Sequence, residues 1–413
     1  MKIRTPHYYK DFKCIAGACT DTCCAGWEVD VDEASYEYYK TVKGDFGERL
    51  KSVMVPSEEG GCTFTLNNGR CPFLNDKNLC DLFTALGEDK LCETCAEFPR
   101  FINEYGNVRE IGIAPSCKTA GELIFNYKEK ITFDVEDDCK PLTSYNDIDG
   151  NLYMQLLKAR ETAYEIVQNE SFTVDECCML LLEFAHRIQR HMDKENDHLI
   201  ANVVKAFGDD DKLTNILEKC RQKYEKKNSG FDSISELFKE LPDMEVINTD
   251  WYIYLERQKE FIKKCEAAAK EGSVQRKSAQ KCGEGATAME NGTAVETYRA
   301  CYKQFDESYT DAPFEYRQLL VYYVYRYFLD AVYDYDVLLK VKNGIIGYII
   351  LKHIDVAAMV HNGGTFTKTE QIDIAHLYSR QFEHSYTTFE KYRKLIGTKR
   401  CYGVSQLMRF LQI

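Results

Sequence analysis

The chain has 413 residues, with 53 Lys and Arg against 66 Asp and Glu, which gives a formal net charge of −13. That balance argues against nucleic acid or an anionic membrane as the main partner, since both select basic patches. It suits cationic partners, lysine-bearing segments included. The length allows a sizeable core without covalent staples.

The first residues, Met1-Lys2-Ile3-Arg4-Thr5-Pro6-His7, form no apolar segment of signal-peptide length, and no run of 18 or more apolar residues predicts a membrane span. The expected location is therefore the cytoplasm, with no membrane insertion, where thiols stay reduced.

Ten of the 18 cysteines fall within the first 120 residues: Cys14, Cys19, Cys23, Cys24, Cys62, Cys71, Cys80, Cys92, Cys95 and Cys117. Crowded thiols pair as disulfides, bind metal or catalyse. A reducing compartment disfavours the first, and a nucleophile needs one cysteine beside a base rather than ten together, so metal is the favoured reading.

The predicted fold is mainly α. An irregular cysteine-rich metal-binding module over residues 1–140 precedes an α-helical domain over 141–413. In the module, Gly60-Gly61, Asn67-Asn68-Gly69 and Cys71-Pro72 mark turns. One helix is expected from near Asp32 to Gly44, and Arg109–Ile113 is expected as a short strand. Thr173-Val174-Asp175-Glu176 is a capping box that opens a helix with Cys178, Leu181, Leu182, Ala185, Ile188 and Met192 on its apolar face, Cys177 and Cys178 being core cysteines. Residues 265–295 are small and polar. They read as an exposed insertion in which Cys265 and Cys282 are incidental thiols.

Apolar helices follow at Phe314–Asp336 and 343–360. Thr367-Lys368-Thr369-Glu370, a second capping box, starts a long helix with Ala375, Tyr378, Phe382, Ser385 and Phe389 facing inward. At 100° per residue, His376, Arg380, Glu383 and His384 lie on the opposite face.

The first cysteine group is Cys14-x4-Cys19-x3-Cys23-Cys24, followed by Ala25-Gly26-Trp27. The second comprises Cys71, Cys80, Cys92-x2-Cys95 and Cys117. A zinc knuckle favours paired Cys-x2-Cys units, and only Cys92/Cys95 forms one. The irregular spacing therefore favours an iron–sulfur cluster (4Fe-4S), with zinc as the alternative. Trp27 is expected to pack over this centre and Arg100 to offset its charge. No Gly-x-Gly-x-x-Gly turn follows a strand, which argues against a Rossmann-type methyltransferase domain.

The run Lys13-Cys14-x4-Cys19-Thr20-Asp21-Thr22-Cys23-Cys24-Ala25-Gly26-Trp27 resembles the opening of the flagellin lysine N-methylase (FliB-type) family, with its YkgJ-like cysteine-cluster region. The likeness continues at Cys71-Pro72-Phe73-Leu74, Cys80, Leu86-Gly87-Glu88, Cys95-x2-Phe98-Pro99-Arg100 and Ser116-Cys117, and returns at Tyr378-Ser379-Arg380-Gln381-Phe382-Glu383-His384-Ser385. The resemblance implies methyl transfer from S-adenosylmethionine to lysine ε-amines of flagellin. Cys62 and Cys92 depart from the family pattern, which leaves Cys14, Cys19, Cys23, Cys24, Cys71, Cys80, Cys95 and Cys117 as the expected metal ligands. Arg380, Glu383 and His384 are the expected catalytic residues, lining a groove between the two domains; a solvated face carrying an ion pair is the bland alternative. The rival function is a non-enzymatic iron–sulfur or zinc protein, chelating or redox, whose helical domain grips a partner.

Overall fold

The computed structural model describes residues 1–58, 60–139, 148–225, 234, 236–239, 241, 247–282, 294–383 and 386–412. The described strands lie in the first 140 residues: β1 (Lys2–Pro6), β2 (Val29–Val31), β3 (Met54–Pro56), β4 (Cys62–Phe64), β5 (Arg100–Tyr105), β6 (Val108–Ile113) and β7 (Phe133–Asp137). They form a four-stranded sheet in the order β5-β6-β1-β7 and a three-stranded sheet in the order β2-β4-β3.

The expected strand at Arg109–Ile113 is therefore part of β6, but the module is less irregular than predicted. β1 pairs in parallel with β6, Ile3 opposite Arg109, and antiparallel with β7, Arg4 opposite Val135. Strands of five residues whose partners lie a hundred residues away leave little local periodicity to read.

The module also has an apolar core of its own. Val29, Val31, Tyr39, Leu50, Phe64, Phe73 and Leu82 are buried together with Cys62, Cys71 and Cys92, so side-chain packing holds part of the module together.

Helix α1 (Glu33–Thr41) starts where expected. Asp32 caps it by accepting from the Ser35 amide at 2.9 Å, and its second oxygen accepts from the Glu93 amide at 2.9 Å. The short helices α2 (Gly44–Val53), α3 (Asp81–Leu86) and α4 (Glu93–Glu97) follow, then α5 (Lys118–Asn126). The next helices are α6 (Gly150–Val167), α7 (Val174–Met192), α8 (Ile200–Phe207), α9 (Asp210–Tyr224) and α10 (Asp250–Cys282). The last are α11 (Ala294–Ser308), α12 (Ala312–Tyr327), α13 (Val337–His361), α14 (Lys368–Glu383), α15 (Tyr386–Thr398) and α16 (Val404–Phe410).

The capping box at α7 forms as read. Thr173 Oγ1 accepts from the Glu176 amide at 3.2 Å, and Glu176 accepts from the Thr173 amide at 2.7 Å. Cys177 and Cys178 are fully buried, as expected of core cysteines. Arg160 of α6 ties this domain to the larger sheet by a buried two-pronged bond to Glu110 of β6, at 2.6 and 2.5 Å.

Helix α13 is central, packing against α7, α10 and α12. By length and composition it could cross a membrane, which the apolar-run count did not anticipate, but 89% of its most apolar stretch is buried within the protein. Its Gly344 lets α12 approach closely, for a Cβ there would stand 2.8 Å from Tyr323 Cβ.

Two expectations need correction here. The insertion begins not as exposed chain but as the continuation of α10, with Cys265 buried at 1% exposure against the core, because this turn of helix still carries an apolar stripe. The Cys282 side chain and residues 283–293 lie outside the described residues. The second concerns the long C-terminal helix, which is two: α14 ends at Glu383 and α15 begins at Tyr386.

Candidate functional site

Helix α14 is fixed at its start by the second capping box, Thr367 Oγ1 accepting from the Glu370 amide at 3.3 Å and Glu370 from the Thr367 amide at 2.8 Å. Its polar face meets the cysteine loop rather than water. Arg380 is 2% exposed and His376 1%. Arg380 Nη1 donates to Asp21 Oδ1 at 2.8 Å and Nη2 to the Ala25 carbonyl at 2.6 Å, and its guanidinium lies 4.3 Å from the centre of the Trp27 ring. His376 Nε2 is 2.6 Å from Asp21 Oδ2, and its Nδ1 lies 3.3 Å from the Pro115 carbonyl. One carboxylate in the loop between Cys19 and Cys23 therefore receives two side chains one turn apart on α14.

Glu383 sits one turn further on, held by different partners. It accepts from Tyr322 at 3.0 Å, Tyr327 at 2.5 Å and Arg326 at 3.2 Å, and also from Ser379. The Glu383 carboxylate is almost wholly enclosed. His384 lies outside the described residues. Arg380 and Glu383, expected in one groove, thus occupy two buried networks. A helical wheel shows the polar face but not that α12 and the cysteine loop each cover a part of it.

The thiols gather around the same loop. The Cys71 amide donates to the Cys24 carbonyl at 2.8 Å, with bridges pairing Ala25 to Arg70 and Leu74 to Cys80. Cys24 is held down to about 7, first by a hydrogen bond from Cys23 and then, against burial, by Thr22 and the charges of Arg70 and Arg380. The partner thiol Cys23 is pushed up by that same bond and by burial, with Cys14 and Cys117 adding. Burial raises Cys71 to about 12, and Cys24, Cys80 and Cys92 add to it. Cys95 bonds to Cys92, which lowers Cys92 and raises Cys95.

Cysteine thiols are donors of the kind a soft metal takes, and Cys92, which the family pattern left out, sits beside Cys95. Even so, among the described residues no group of three or more His, Cys, Asp or Glu side chains is arranged to hold a metal ion. Cys23/Cys24 and Cys92/Cys95 stand as hydrogen-bonded pairs, while Cys19 donates to the Asp21 carbonyl at 3.1 Å and Cys14 accepts from the Ala16 amide at 3.4 Å. Trp27 packs on Phe98, ring centres 5.5 Å apart, beneath Arg380. Arg100, expected near the thiolates, donates to the Ala96 carbonyl beside Cys95 at 3.5 Å and to Tyr9 Oη at 2.9 Å, and lies against the rings of Tyr9 and Phe12. His7 packs on Tyr127 with ring centres 4.1 Å apart.

Beside the Asp21–His376 contact opens a cleft of about 250 Å³ between α5, α10 and α14. Asp21 and His376 line it on one side, Lys118 and Asp373 on another, and Asp250, Tyr254 and Arg257 of α10 on the third. Lys118 Nζ is 2.7 Å from Asp373, and Arg257 stacks 5.2 Å from the Tyr254 ring centre.

Sequence reasoning passed over Asp21, the buried role of His376, and the tyrosines of α12. Two of these left a signal: an acid inside a cysteine loop, and a His/Arg pair at i and i+4.

Residues 160–410 match the FliB lysine N-methylase C-terminal domain; the cysteine-rich segment precedes that match. The flagellar biosynthetic protein FliU of Salmonella muenchen is 26% identical over 138 residues, which is 30% of this chain and 78% of that protein. A lysine-N-methylase of Salmonella choleraesuis is 28% identical over 134 residues, 30% of this chain and 33% of that protein. The namesake from Salmonella typhimurium matches to the same extent. The chain thus spans about a third of the length of these two lysine-N-methylases. No solved structure matches it.

Proposed function

Because the chain belongs to the FliB lysine N-methylase family, we propose that it is a protein-lysine N-methyltransferase that uses S-adenosylmethionine to methylate flagellin in the cytoplasm. The observation that carries the reading is the family match over 160–410, which includes the whole of α14. S-adenosylmethionine supplies a sulfonium methyl. The deprotonated ε-amine forms the new N–C bond as the C–S bond breaks, and the amine's proton leaves to a base or to water.

The chain's own residues then have distinct tasks. Arg380 and His376 hold the Asp21 loop against α14. Glu383 fixes Tyr322, Tyr327 and Arg326 in the wall behind it. We assign Cys14, Cys19, Cys23, Cys24, Cys71, Cys80, Cys95 and Cys117 to a thiolate-held centre, an iron–sulfur cluster in preference to zinc, that rigidifies the module. The test is incubation of the purified full chain with labelled S-adenosylmethionine and flagellin. Label in flagellin lysines is the expected result, and unlabelled flagellin with active donor present would sink the reading.

A further inference from the structure

The cleft beside Asp21 and His376 has a composition that none of the assigned roles uses. We propose that it receives the side chain of the acceptor lysine, presented by a protein segment lying across its rim; this deepens the methylase reading and rests on it.

Three features favour an alkylammonium over other occupants. First, the cavity already holds one: the Lys118 ammonium stands on Asp373 at 2.7 Å, so the wall accommodates this group at charge-assisted distance. Second, its cations are engaged within the wall. Lys118 is on Asp373 and the Arg257 guanidinium lies on the Tyr254 ring, while Asp250 adds a further carboxylate from the first turn of α10. Asp250 is exposed and makes no salt bridge among the described residues, so it is the carboxylate left for an incoming cation. Third, Ile253 and Leu377 supply apolar wall for a methylene stem. Ile253 (50% exposed) presents apolar surface at the opening, where the backbone flanking a surface lysine would rest. Tyr254 offers a ring face to the ammonium.

Asp250→Asn and Asp373→Asn are the variants to use, with full chain throughout. Flagellin binding is measured by calorimetry without donor, and methylation kinetics separately. Each variant is expected to weaken flagellin binding about fivefold, the loss of one partly exposed ion pair, and to raise the KM for flagellin without changing the KM for S-adenosylmethionine. Unchanged flagellin affinity in Asp250→Asn overturns the proposal. So does a rise in the KM for S-adenosylmethionine alone, which would make this the donor's cleft. Should wild-type protein bind flagellin with the expected dependence on Asp250 yet transfer no methyl, the methylase reading falls and the lysine cleft stands. Asp250 is exposed, so its variant remains informative even if loss of the Lys118–Asp373 pair disturbs folding.

Discussion

Asp21 and Arg380 are 359 residues apart in sequence and joined by a 2.8 Å ion pair in the fold. The same guanidinium reaches the Ala25 carbonyl and covers Trp27, so a single side chain of α14 fixes the conformation of the loop that carries Cys19, Cys23 and Cys24. This makes the cysteine module and the helical domain one mechanical unit at the point where chemistry is proposed.

Arg380→Lys keeps the charge but not the fork. Lysine cannot bond Asp21 and Ala25 at once in the same geometry, and it loses the planar stacking on Trp27. Arg380→Ala leaves Asp21 with His376 alone and should cost about 3 kcal/mol. Lysine should fall between wild type and alanine. The loop should loosen before the helices melt, so alkylation of Cys23 and Cys24 should accelerate in both variants while far-ultraviolet dichroism is retained. Unchanged alkylation rates would show that Arg380 does not hold the loop.

Glu383→Gln would be a gentle change on a solvated helix face, but this carboxylate is enclosed and compensates Arg326. The amide keeps the shape, removes the negative charge and brings donors toward three hydroxyls that already donate to it. A loss of about 2 kcal/mol is expected, read as a lower melting temperature, alongside any loss of methylation. Activity lost with full stability would instead move Glu383 into direct contact with substrate.

For the thiols, the expected contrast is between the loop and the helical core. Anaerobically purified wild type should carry iron and sulfide. Cys23→Ser and Cys95→Ser should lose both and destabilise the module, since binding energy at such a site is also folding energy. Cys178→Ser, buried within α7, should keep the metal and lose only packing. Stoichiometric zinc without sulfide would replace the cluster by a zinc site, and equal metal in Cys23→Ser and wild type would remove these ligands from the assignment.

The sequence carried the helical elements well where capping chemistry was local. Thr173/Glu176, Thr367/Glu370 and Asp32 all cap the helices that their spacing predicts. It carried the sheets poorly, because Ile3 finds Arg109 and Val31 finds Cys62 only in three dimensions. The candidate site was half legible. The i, i+4 spacing placed His376 and Arg380 on one face, but nothing along α14 says what covers that face. The acid that does so sits among cysteines, where the thiols dominate the reading. Glu383 stood out as a polar residue on that face, but its burial did not: its partners come from α12, whose tyrosines read as plain core.

His353 of α13 is fully buried, facing Tyr298 and Tyr302 of α11 through Nδ1 at 3.0 Å each and Gln258 of α10 through Nε2 at 3.2 Å, with Phe238 and Phe261 packed on the ring. Gln258 donates to Nε2, so a second ring proton would oppose its amide. Burial holds the imidazole down to about 3, against an ordinary 6.5. The unfolded chain therefore binds a proton below pH 6.5 that the folded one refuses until about 3, and stability must fall as the pH drops through that window. The loss over the full window is about 5 kcal/mol at 1.36 kcal/mol per unit, while above pH 6.5 the group has no effect. His353→Gln should cost about 1–2 kcal/mol at pH 7 through imperfect bonds to the two tyrosines. It should then lose less stability than wild type on acidification, so that the two denaturation midpoints converge or cross between pH 6 and pH 4. Carboxylates titrate equally in both proteins, which makes the difference between the curves the diagnostic quantity. Parallel curves over that range would mean that His353 takes up its proton without unfolding the helix pair around it.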